Sequence, residues 1–143
     1  MAWKTEKNDL FKCELPADWR SKTLADGSPG FFFTDGAHSI RAARLSVDAK
    51  TRAAAIKTER ALVEASTIPV AGQTSSLFRR QFKSETAGDE RRGPAEWIYE
   101  ETVVVPNKAG SWELMYRSGA RTRQAAPSAG DAWRRFLKSF KPS

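Results

Sequence analysis

Between Glu96 and Ser118 two apolar, β-branched and aromatic runs flank Pro106-Asn107-Lys108-Ala109-Gly110, the composition of a strand, a turn and a second strand. Pro106 has no donor to give a ladder, and Asn107 and Gly110 tolerate the positive φ of a reversal. On the first strand Trp97, Tyr99, Glu101, Val103 and Val105 share one face; Ile98, Glu100, Thr102 and Val104 share the other. Apolar residues on both faces predict a hairpin inside a sheet, covered on both sides. The other strong pattern closes the chain. Ala129, Ala132, Trp133, Phe136, Leu137 and Phe140 recur at helical spacing, and Ser128 with Asp131 reads as a capping box.

The remaining segments are shorter. Asp9 to Leu15 alternates as a strand with Phe11, Cys13 and Leu15 on one side, and the turn Pro16-Ala17-Asp18-Trp19 returns a tryptophan to the domain. Phe31-Phe32-Phe33 is a buried strand ended by Asp35-Gly36, with Ile40 to Val47 as its partner. Asp48 or Thr51 caps a helix running to about Ser66. Its broad apolar arc holds Ala54, Ala55, Ile56, Ala61, Leu62, Val63 and Ala65, with Lys57, Arg60 and Glu64 opposite. Glu59 falls inside the arc, where a carboxylate reads as an edge group reaching Arg52 or solvent ahead of a buried general acid. Residues 68–72 read as a linker. Thr74 to Glu85 reads as a strand that sets Phe78, Arg80 and Phe82 against Leu77, Arg79, Gln81 and Lys83. Residues 86–94 form the polar tip of a long hairpin, and 119–127 another polar connection. The order predicts one α+β domain over residues 1–143: an antiparallel sheet of about six strands with helices packed on its faces.

Composition narrows the chemistry. No apolar run approaches the ~18 residues of a membrane span. Met-Ala-Trp-Lys-Thr-Glu-Lys has no signal-peptide apolar core. The expectation is a periplasmic or envelope-anchored protein if a leader has been removed, and otherwise a cytoplasmic one. A single cysteine, Cys13, precludes an internal disulfide and reads as a small core residue. A single histidine, His38, leaves too few ligands for an ordinary zinc site. The net charge is +7, of which residues 72–143 hold +5, a balance that suits an anionic partner.

Phe11-Lys12-Cys13-Glu14-Leu15-Pro16-Ala17-Asp18-Trp19 resembles the opening F-x-x-x-x-P-x-x-W strand and turn of the PsbP-like superfamily. The terminal Phe136-Leu137-Lys138-Ser139-Phe140-Lys141 is similar to that family's closing segment, and a long hairpin before a last helix matches its order of elements. The resemblance implies an α/β/α sandwich around an antiparallel sheet. It also implies non-enzymatic work: an assembly factor, a chaperone-like adaptor or a binder of a small partner, in several bacterial members exported or lipid-anchored. A related cytosolic group chaperones secreted proteins. The metal-binding side chains of the plant branch have no counterparts here, so the resemblance implies no cofactor.

The residues themselves carry no catalytic set. Asp35, His38 and Ser39 supply an acid, a base and a hydroxyl, but neighbours on a hairpin alternate faces. Glu100 and Glu101 likewise point apart and cannot share a proton. Asp89, Glu90 and Glu96 are a weak cation set opposed by Arg91 and Arg92. What remains is a surface. Arg79, Lys83, Arg91, Arg92, Arg117, Arg121 and Arg123 predict a cationic patch beside Trp112 or Tyr116, for an anionic partner such as single-stranded nucleic acid or an anionic lipid surface. A non-enzymatic protein binder is therefore expected. Nucleic acid stands behind a protein partner, and the hydrolase alternative rests on His38 alone.

Overall fold

The computed structural model describes residues 2–60, 64–84 and 97–143. In chain order these are β1 (Trp3–Lys7), β2 (Phe11–Pro16), β3 (Arg20–Thr23), β4 (Pro29–Phe32), β5 (His38–Leu45), α1 (Ala49–Glu59) and β6 (Glu64–Val70). There follow β7 (Gln73–Lys83), β8 (Trp97–Asn107), β9 (Gly110–Ala120), α2 (Asp131–Ser139) and β10 (Lys141–Pro142). The fold is α+β and every strand pair is antiparallel. A seven-stranded sheet runs β3-β4-β5-β9-β8-β7-β6, one strand more than expected, and a second sheet runs β1-β2-β10.

The hairpin of β8 and β9 holds the middle of the large sheet, as its two-sided apolar pattern requires. Its turn is tight because Asn107 pairs with Gly110. Glycine is needed at 110 for two reasons. Its φ is +150°, and a Cβ there would stand 2.0 Å from the Leu45 carbonyl oxygen on β5.

Alternation assigns the faces. Val103, Val105, Trp112, Leu114 and Tyr116 pack with Phe11 of β2 and with Trp133, Phe136 and Phe140 of the last helix. Val104 and Phe78 point the other way and meet Ile56 of α1. The helices therefore lie on opposite faces of the sheet. On the α2 side the aromatic rings interlock: Phe11 meets Trp112 edge-on at 5.5 Å, and Trp133 stacks on Phe136 at 5.7 Å. Ser139 ties the helix to the small sheet, accepting from the Glu14 amide at 2.7 Å and donating to the Arg135 carbonyl. Trp19, delivered by its turn, packs at 6.1 Å from Phe33.

Several expectations need correction. The first helix is capped by Asp48, which accepts from the Thr51 amide at 2.9 Å, but it ends at Glu59. Glu64–Val70, read as helix end and linker, is a strand paired with β7; Thr67, Ile68 and Val70 are β-branched and suit the ladder that β7 offers. Pro69 is tolerated because β6 lies at the sheet edge. Among the described residues of the proposed arc only Ile56 is buried, while Ala54 and Glu59 are exposed. Arg60, expected on the solvent side, turns in toward the sheet. Residues 61–63 and the expected hairpin tip at 86–94 lie outside the described residues. The last helix has Gly130 as its N-cap with no side-chain bond, so Ser128 is not its cap. β1 and β3 carry no apolar alternation and were not expected.

Trp133 and Phe136 are 1% and 0% exposed, whereas Arg134 and Lys138 are exposed. Trp133→Ala or Phe136→Ala is expected to cost about 3–5 kcal/mol in chemical denaturation. Arg134→Ala or Lys138→Ala should change stability by less than about 0.5 kcal/mol. Similar small losses in all four would mean that the stripe does not pack as core.

Candidate functional site

Two consecutive carboxylates on β8 organise the polar groups of the domain. Glu100 is 1% exposed and faces α1. Its cross-strand neighbours are Arg80 on β7 and Arg117 on β9. Arg80 Nε donates to Oε1 at 2.8 Å, Arg117 Nε to Oε2 at 2.7 Å, and Arg60 reaches Oε1 at 3.4 Å from the end of α1. Burial alone would raise the pKa of Glu100; the Arg80 bonds and the charges of Arg117 and Arg80 outweigh it and hold the carboxyl below its ordinary range. Alongside, Arg52 binds Glu113 through Nε and Nη2 at 3.0 and 2.9 Å. Arg52 of α1 and Arg60 at its C-cap thus add polar ties to the contact made by Ile56.

Glu101 faces the other way, at the floor of a cleft. It accepts from the Tyr99 hydroxyl at 2.6 Å and from the Trp133 indole at 3.1 Å, with Arg79 Nε at 3.7 Å. Burial first, and then the bond to Glu101, push the Tyr99 phenol well above its usual range. The cleft, of about 950 Å³, has its floor on β6, β7 and β8 at Ile68, Leu77 and Tyr99. Its wall is α2 at Trp133 and Leu137, and its end is the segment 123–129. That segment is pinned across the sheet: the Gln81 amide donates to the Gln124 carbonyl at 3.0 Å and accepts from the Gln124 amide at 2.9 Å. Apolar walls enclosing a few oriented polar groups suit a binding site.

The predicted cationic patch is divided. Arg79 stands on the cleft face, bound to Glu64 at 2.8 Å. Arg117 stands on the opposite face, occupied by Glu100. Arg123 lines the cleft and lies 5.6 Å over the Trp97 ring. Lys83 and Arg121 are exposed at the end of β7 and beyond β9. Arg91 and Arg92, like Asp89, Glu90 and Glu96, lie outside the described residues. Trp112 and Tyr116, at 1% and 3% exposure, are core and offer no ring to a partner. The cleft itself escaped sequence reasoning, because its walls come from β6, read as a linker, and from the helix stripe, read only as core.

Asp35 and His38 do pair, Oδ2 to Nδ1 at 2.7 Å, across the β4–β5 turn. Ser39 is directed to the other face, opposite Arg117. Among the described residues no hydroxyl or thiol is hydrogen-bonded to the second ring nitrogen of His38. Among them, too, no group of three His, Cys, Asp or Glu is placed to hold a metal ion, and no helix is long and apolar enough to cross a membrane.

Burial, and then the charges of Glu6 and Glu14, push the Cys13 thiol up to about 12. A thiol reagent at pH 8 is expected to leave the folded protein untouched and to modify Cys13 only on unfolding; rapid reaction of the native state would contradict this burial. For Glu100 the folded value lies below the unfolded one, so its stabilisation is full above the ordinary carboxylate value of about 4.3. It is lost as pH falls through the lower folded value. Glu100→Gln, which strands three guanidiniums, should cost about 3 kcal/mol or more at pH 7 and flatten the acid limb of stability. Denaturation profiles from pH 7 to 3 measure both.

No family model matches the chain, and no curated protein matches it. Among solved structures, a crystal structure from Bacteroides thetaiotaomicron VPI-5482, at 1.50 Å resolution, matches 93% of this chain with a TM-score of 0.65 and 12% identity. The chain spans 45% of that protein, less than half its length. At this identity the likeness is one of fold, shared by an α+β domain built on antiparallel sheet.

Proposed function

We propose that the chain is a non-catalytic binding domain of the PsbP-like kind, an α/β/α arrangement that holds part of a protein partner in the cleft beside α2. The observation that carries this reading is the cleft of about 950 Å³, bounded by Ile68, Leu77, Tyr99, Trp133 and Leu137. Its one enclosed carboxylate, Glu101, is already satisfied by Tyr99 and Trp133, so it orients the walls and is not poised as an acid or base. An assembly or chaperone-like role in the bacterial envelope agrees with such a site; an adaptor for a secreted protein in the cytoplasm uses the same surface. The hydrolase alternative has only the Asp35–His38 pair in its favour.

The test uses the dye 1-anilinonaphthalene-8-sulfonate as a probe of the cleft. Wild type should bind it with a blue-shifted emission, and Ile68→Glu should weaken binding about tenfold, since a charge enters a half-buried apolar floor. Arg117→Ala, on the opposite face, and His38→Ala should leave dye binding unchanged. Equal binding by Ile68→Glu would remove the cleft from consideration. Loss of biological activity in a folded His38→Ala protein would favour the hydrolase instead.

A further inference from the structure

The cleft opens toward β6, and β6 is the outermost strand of the large sheet. Its inner edge is paired with β7 from Glu64 to Val70; among the described residues its outer edge meets no strand. A bare edge offers a row of backbone donors and acceptors, and proteins usually blunt it with proline, charge or a covering segment. Here the blunting is partial. Pro69 removes one donor near the end, but Ala65, Ser66 and Thr67 are small or hydroxylic and exposed.

A strand added there would continue the pleat, placing every second side chain on the face where Ile68 and Leu77 form the cleft floor. Those side chains would face the wall made by α2. The charges around the cleft then select the flanks. Its lining holds four basic and two acidic side chains. Glu101 is enclosed with its own donors, and Glu64 is occupied by Arg79. Arg134 reaches only Asp131, at 3.4 Å in an exposed pair of little strength. Arg123, Arg134 and Lys138 therefore set a positive rim. The cleft's aromatic side chains, Tyr99 and Trp133, are 5% and 1% exposed and give no stacking platform, which disfavours a nucleic acid strand.

We propose that β6 receives an extended segment of a protein partner as an eighth strand, with alternate apolar side chains in the cleft and acidic residues at its ends. The inference rests on the cleft reading above and supplies the partner's chemistry: backbone pairing for affinity, side-chain alternation and end charge for specificity.

The probe is a short peptide of alternating valine and threonine ended by two glutamates on each side, with a lysine-ended twin as control. At low salt the glutamate-ended peptide should bind about tenfold or more tightly than its twin. Hydrogen exchange at Ala65 to Ile68 should slow by about tenfold in its presence. The double variant Arg134→Glu, Lys138→Glu changes exposed side chains only, and should reverse the preference. Equal affinity for both peptides, unchanged exchange along β6, or no binding at about 1 mM overturns strand addition. If the dye still binds wild type and is weakened by Ile68→Glu, the cleft reading survives that failure; if dye binding is also insensitive, both end.

Discussion

Two adjacent buried carboxylates on β8, beside the middle strand of the large sheet, constrain everything else in this domain. Removing a carboxylate from water costs several kcal/mol unless cations or well-placed donors replace the solvent. Glu100 and Glu101 are both buried, and alternation sends them to opposite faces. Each face therefore has to supply its own set of partners. Glu100 takes guanidiniums from α1, β7 and β9; Glu101 takes a phenol, an indole and one guanidinium. A register slip of one residue would exchange the two and leave each among the wrong groups, so the pair also fixes the pairing of β8.

The two faces answer that constraint by different means. On the α1 side the contact is narrow: Ile56, with Ala49 and Ala53, rests on Phe78 and Val104, and arginines at 52 and 60 complete the attachment. On the α2 side Phe11, Phe31, Trp112 and Tyr116 interlock with Trp133, Phe136 and Phe140, and the indole of Trp133 both packs and donates. The first helix adds ion pairs to a small apolar contact, whereas the second packs a broad aromatic face.

The cleft follows from arithmetic of width. Seven strands at about 4.8 Å spacing span about 29 Å, whereas a helix with its side chains covers about 10 Å. The small sheet and α2 cover the part of the face near β4, β5 and β9, and the part over β6 and β7 is left open beside the helix. The pinned segment at Gln124 closes one end. The candidate site is thus built from sheet and helix, with a single loop as its end wall.

Much of this was legible in the residues. The two-sided apolar run of β8 placed it in the middle of the sheet, and the stripe from Ala129 to Phe140 located the last helix. The alternation of Phe78, Arg80 and Phe82 against Leu77 and Arg79 assigned the faces of β7. These are local patterns whose period is set by backbone geometry, so sequence alone determines them. β6 was different. Its small and mixed polar residues have no strong period, and it is a strand because β7 offers it a ladder. The same holds for Arg60, Arg80 and Arg117. In sequence they are surface cations 20 and 37 residues apart, counted from Arg60 to Arg80 and from Arg80 to Arg117; only the pairing of β7, β8 and β9 turns them onto one buried carboxylate. Charge partners and cleft walls are assembled across long sequence separations, and tertiary structure alone decides them.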